Sequence, residues 1–209
     1  LPASVIIEFD APQSINTVCI GAHSLSGYRV GVYYGPAGSQ STAVVDKLSD
    51  NSAAMFLFDT TSASRWTILV EDPDSIGGAP SIGHIKIGQA LQMQRAIYGG
   101  AAPARMNRAT EVLGNMSRTG GLLGRSVKRT ILQEQYTWEN LTYSWVRSNL
   151  DGPSGLIQSV ETQPCYVAWR PALTDDCVYA MRASPNAPTA QGIKDLWSFS
   201  MSVEGYSYE

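Results

Sequence analysis

His23 and His84 are the only histidines among the 209 residues, and histidine is the side chain best suited to general-base work near neutral pH. His23 with Ser24 and a carboxylate such as Asp59 has the composition of a nucleophilic triad, but no GxSxG elbow or other nucleophile signature accompanies them. The simpler reading makes His23 a loop residue bonded to backbone and His84 an outward-facing strand position between Ile82 and Ile85. Asp175-Asp176 and Glu71-Asp72-Pro73-Asp74 raise glycosidase and calcium chemistry. A glycosidase needs two carboxylates across a cleft, and calcium needs several oxygens in one tight loop, so solvated turn acids explain both runs better. Cys19, Cys165 and Cys177 are odd in number, form no CxxC and read as reduced thiols, with no zinc site. The Gly120–Arg125 run GGLLGR lacks the GxxxxGK[ST] spacing of a phosphate loop. The chain is therefore read as a non-enzyme with no cofactor and no metal.

Binding chemistry has two candidate locations. Tyr28, Tyr33, Tyr34 and Trp66 carry apolar ring faces of the kind that stack on sugars. The loops beside them, Ala22–Gly27 and Gly35–Ser41, make His23, Ser24, Tyr28 and Tyr34 the candidate glycan-contacting residues. The second location is electrostatic. Between Arg95 and Arg129 lie Arg95, Arg105, Arg108, Arg118, Arg125, Lys128 and Arg129 against the single acid Glu111, whereas the preceding segment is rich in Asp and Glu. Either this is a solvated basic loop, or copies of the chain dock one patch on the other. The formal net charge of −3 gives no global basic field, so nucleic acid is not an expected partner.

Any such site must be positioned by strands. Val5, Ile7 and Phe9 alternate, Asp10-Ala11-Pro12 interrupts the pattern as a short turn, and Ile15, Val18 and Ile20 resume it. Tyr28–Tyr34 follows, then the Gly35-Pro36-Ala37-Gly38-Ser39 turn and a partner strand at Thr42–Val45. Ala53–Asp59, Arg65–Asp72 and Ile82–Gly88 complete a first β domain. Residues Gln89–Thr130 read as irregular, with glycine-rich turns. Beyond them, strands are expected at Ser126–Leu132, Tyr166–Trp169, Cys177–Ala183 and Leu196–Tyr206, with a helix of at most three turns in Thr137–Leu150. A charged fraction of 16% is low against about 25% for an ordinary soluble domain, which fits a surface partly covered by other subunits. No apolar run approaches the roughly 20 residues of a membrane-spanning helix, so a soluble chain without membrane insertion is expected.

The strand pair ending in Gly21-Ala22-His23-Ser24-Leu25, the Arg65-Trp66-Thr67-Ile68 strand and the Ile82-Gly83-His84-Ile85-Lys86-Ile87-Gly88 strand resemble the discoidin-like, or galactose-binding-like, domains of tailed-bacteriophage structural proteins. Trp138-Glu139-Asn140-Leu141-Thr142 and Tyr166-Val167-Ala168-Trp169-Arg170-Pro171 are similar to the second domain of phage tail proteins.

The resemblance implies a mainly β fold: a discoidin-like β-sandwich (jelly-roll) at 1–88, a basic arm at 89–125, and a second β-rich domain with a short helix at 126–209. It implies a structural component of a phage virion, made in the host cytoplasm and located in the tail or tail tip. Its partners would be copies of itself and other tail proteins. Arg105, Arg108, Arg118, Arg125, Leu122 and Leu123 are the expected subunit contacts on the arm. The alternative is a module that binds a host surface glycan.

Overall fold

The computed structural model describes residues 2–97, 107–152, 155–174, 176–192 and 195–206. These form two compact units, one running to Gln92 and including Tyr166–Tyr179, the other built from Met93–Cys165 and the residues from Ala180 onward. The chain is mainly β, with two antiparallel sheets and two short helices.

In the first unit, strands β1 (Ala3–His23), β2 (Arg29–Tyr34), β3 (Ser41–Lys47), β4 (Ala54–Glu71) and β5 (Ile82–Gly88) make one sheet in the order β3-β2-β4-β1-β5. The turn expected at Asp10-Ala11-Pro12 is instead an irregularity inside one long strand, where the pairing with β4 shifts between Glu8 and Gln13. Proline has no N–H to give the ladder, and a register shift accommodates it without ending the strand. The two strands expected at Ala53–Asp59 and Arg65–Asp72 are likewise one.

Geometry requires that strand to bend. Ile20 pairs with Ala54 at one end of β4, and Arg29 pairs with Glu71 at the other. The nine residue steps from Ile20 to Arg29 reach at most about 32 Å. An unbent strand of 18 residues would run roughly 56 Å, more than that reach plus two inter-strand spacings. The halves of β4 accordingly meet: the Phe58 and Trp66 rings lie 5.6 Å apart, and Trp66 donates its indole N–H to Ala63 O at 3.2 Å. Phe56 of one half, with Val18 and Ile20 of β1 beside it, shares a core with Ile68 and Val70 of the other half and Val30 and Val32 of β2. Burying Trp66 alone removes a large apolar surface from water, and its truncation to alanine would cost about 3–5 kcal/mol.

The second sheet runs β6-β7-β11-β9-β8, from β6 (Arg108–Met116), β7 (Leu122–Thr142), β8 (Cys165–Ala168), β9 (Cys177–Pro185) and β11 (Leu196–Tyr206), with β10 (Thr189–Ala190) beside β11. Two stretches of the segment expected to be irregular are strands, β6 and the start of β7, so its residues 108–130 form a hairpin. The helix expected within Thr137–Leu150 is confined to α1 (Tyr143–Asn149), because β7 continues to Thr142. A second helix, α2 (Leu156–Thr162), follows. Among the described residues no helix is long and apolar enough to cross a membrane.

Leu132, Glu134, Tyr136 and Trp138 share the buried face of β7, a period of two in which one position is a carboxylate. Glu134 is 6% exposed; one carboxylate oxygen accepts the Gln135 N–H at 3.3 Å and the other has no partner among the described residues. Burial holds its carboxyl above the usual range, and the Gln135 N–H only partly offsets this. A carboxyl raised in the folded state favours the protonated form, so its contribution to stability is lost as pH rises through the folded value. Glu134→Gln is therefore expected to raise the melting temperature at pH 7.5 by roughly 2–4 °C, about 1 kcal/mol for a chain of this size. The gain should shrink toward pH 4 in thermal melts across that range.

Candidate functional site

β6 pairs with β7 from Arg108–Leu132 to Met116–Leu122, and beyond Ile131, where β11 ends, the two run as a ribbon with no other strand beside β7 among the described residues. Ser117 closes the tip. Its N–H donates to Gly121 O at 2.7 Å, its hydroxyl accepts the Gly121 N–H at 2.8 Å, and Gly120 takes a φ of +83°, which suits glycine. Gly121 to Arg129 are all exposed.

The register decides which side chains share a face. Leu132 lies on the core face, and alternation along β6 carries that face through Thr110, Val112, Gly114 and Met116, opposite Thr130, Val127, Arg125 and Leu122. The apolar stripe of the sheet interior thus runs on into solvent: Val127 is 64% exposed, Met116 68%, Leu122 65% and the neighbouring Leu123 71%. A two-stranded hairpin is marginal on its own, and contiguous exposed apolar residues of this size mark an interaction surface. The ribbon is also basic. Glu111 pairs with Lys128 and Arg129, each at 2.8 Å, and these bonds hold its carboxyl below the usual range. Arg108, Arg118 and Arg125 have no acidic partner among the described residues. Arg118, Arg125, Leu122 and Leu123 are thus gathered toward the ribbon's outer end, with Arg108 at its root; Arg105 lies outside the described residues.

The loop residues considered for glycan contact are arranged differently. His23 is 5% exposed, donates from Nε2 to Ser52 O at 2.6 Å, and accepts the Leu25 N–H at Nδ1, 3.2 Å away. Tyr28 is buried, with its hydroxyl directed at the Gly77 and Gly78 carbonyls. The Ser24 hydroxyl pairs with that of Ser81 at 2.9 Å. Tyr34 lies at the opposite end of β2, half-buried against Trp66 and lining an open cleft of about 530 Å³ with Pro12, Pro36, Ala37 and Glu8.

His84 is not the outward-facing position expected from its strand. It stacks on Tyr179 with ring centroids 4.8 Å apart and bonds the Tyr166 hydroxyl at 2.8 Å. A methyl at Gly21 would lie 2.6 Å from that hydroxyl, so this glycine is what admits the tyrosines. Nothing local signals this cluster, because His84 and Tyr166 are 82 residues apart. The acidic loop is also spoken for: Asp72 accepts the Ile76 and Gly77 N–H groups, which lower its carboxyl, and Asp74 pairs with Lys47.

Comparison with protein-family models, with characterised proteins and with solved structures gives no match for this chain. The functional reading therefore rests on the ribbon, the cleft and the residues themselves.

The His23 partners fix the neutral ring, since a proton on Nδ1 would face the Leu25 N–H. Desolvation lowers its pKa, against opposing contributions from the Ser52 carbonyl and Asp50, and desolvation followed by Lys86 lowers that of His84. A histidine held neutral by the fold contributes stability that is lost as pH falls below its ordinary value near 6.5. Melting temperature is expected to drop between pH 7 and pH 5. His23→Asn, which can keep an acceptor and a donor without titrating, should flatten part of that drop; an unchanged pH profile would show that His23 is not its source.

Proposed function

We propose that this chain is a structural subunit of a tailed-phage virion, in the tail or the tail-tip and baseplate region, and that its work is assembly. In this reading the first unit is a discoidin-like β-sandwich in its finer architecture, the ribbon is the assembly element, and the partners are copies of the chain and other tail proteins. The chain does no catalysis, and nucleic acid is not its partner.

One observation carries the assembly reading: the core face of the second sheet extends onto a ribbon that nothing in the described residues covers. Placing Met116, Leu122, Leu123 and Val127 in contact with another subunit removes large apolar side chains from water, at about 25 cal/mol for each Å² of apolar surface. Arg118 and Arg125 add planar forks suited to carboxylates, which confer direction on the contact. The resemblance of the Trp138–Thr142 and Tyr166–Pro171 motifs to phage tail proteins supports the virion setting.

Sedimentation of the purified chain tests this. The wild type is expected to self-associate, with association weakening as salt is raised, because exposed charges are screened over about 8 Å at physiological ionic strength. Arg118→Ala with Arg125→Ala should shift the distribution toward monomer while leaving the thermal melt within about 0.5 kcal/mol of wild type, as exposed substitutions do. Unchanged assembly in the double variant would remove the arginines from the interface.

A further inference from the structure

We infer that the ribbon end of one copy seats in the open cleft beside the β1–β4 irregularity of the next copy, so that subunits join head to tail. This rests on the assembly reading above and names the surface that receives the ribbon.

Three features of the cleft match the ribbon end. Its walls are apolar where Pro12, Tyr34, Pro36, Ala37 and Ala63 line it, and the ribbon end offers Met116, Leu122 and Leu123, among the most exposed large apolar side chains described. Its volume of about 530 Å³ and its open form suit several side chains of a hairpin end. Its charge is the third feature. The exposed Glu8 side chain lines the cleft and pairs with Arg65 at 2.6 Å, and exposed Asp10, with no ion pair among the described residues, lies two residues further along the same strand. Arg118 sits in the ribbon's turn and Arg125 just behind it. Arg65 is itself a lining residue, and its pairing with Glu8 leaves the lining without net charge, so that Asp10 beside it supplies the acid that the incoming arginines meet.

Charge also selects head-to-tail over ribbon-to-ribbon contact. Residues 107–130 hold five bases and one acid, so two ribbons would repel, whereas the formal net charge of the whole chain is −3 and the rest of it is therefore acidic. A contact between two different surfaces is heterologous, and it propagates into a ring or a filament according to whether its rotation closes.

Charge reversal tests the pairing, read by sedimentation equilibrium at matched protein concentration, with circular dichroism and thermal melts as fold controls. Arg118→Glu with Arg125→Glu, and separately Glu8→Lys with Asp10→Lys, are each expected to weaken self-association by about tenfold or more. The chain carrying all four changes should recover the wild-type association. Ala37→Trp, which fills the cleft without altering charge, should weaken association as well. If the ribbon variant dissociates while the cleft variants and Ala37→Trp associate normally, or if the fourfold variant stays dissociated, the cleft assignment is overturned and the ribbon reading stands. A wild-type chain that is monomeric at every concentration overturns both.

Discussion

A strand that outruns its neighbours must carry its core face into solvent or onto something else, and β7 does so. Over residues 131–142 it pairs with β11 and contributes Leu132, Tyr136 and Trp138 to a buried face. Beyond Ile131 only β6 accompanies it among the described residues, and the face that was interior becomes the exposed stripe of Val127, Leu122 and Met116. Stability of the outer ribbon depends on two strands, a serine-closed tip and the Glu111 ion pairs with Lys128 and Arg129. Such exposed pairs contribute little. The outer ribbon therefore leaves apolar side chains in solvent, which the proposed assembly would cover.

The first unit shows the opposite solution to the same problem. Its long strands β1 and β4 also exceed what one flat sheet could bury, but they bend, and Phe58 comes to rest against Trp66. The two halves then cover one another. The cleft opens beside that bend because Pro12 and the Pro36–Ala37 turn flank a stretch where the β1–β4 register breaks. A single device, the irregular register near Asp10, shapes both the closed core and the open cleft.

How much of this is legible in the residues follows from whether burial is one-sided and local. Trp197, Phe199, Met201 and Val203 fall in the Leu196–Tyr206 strand that alternation indicates, and Ile82–Gly88 is a strand with the bounds its pattern gives. Of the ribbon only Ser126–Leu132 is legible as strand; β6 and Leu122–Arg125 are not, because neither face is buried there, so alternation is weak and Gly114, Gly124 and Arg125 dilute it. The continuation of β7 to Thr142 is masked by Glu134, a carboxylate on the buried face that breaks the apolar period. The bend of β4 and the stacking of His84 with Tyr166 and Tyr179 depend on contacts between distant residues, which no local window carries. The basic bias of the arm, by contrast, is a property of composition and survives intact: Arg118 and Arg125 are exposed on the ribbon.

In the proposed assembly the outer ribbon is covered by a second copy. Amide hydrogen exchange of the full chain, followed from dilute to concentrated solution, tests it most directly. Protection within residues 108–130 is expected to rise with protein concentration, while amides in the β4 core around Trp66 are unaffected. Exchange of the ribbon amides that is independent of concentration, in a chain that sediments as an oligomer, would contradict it.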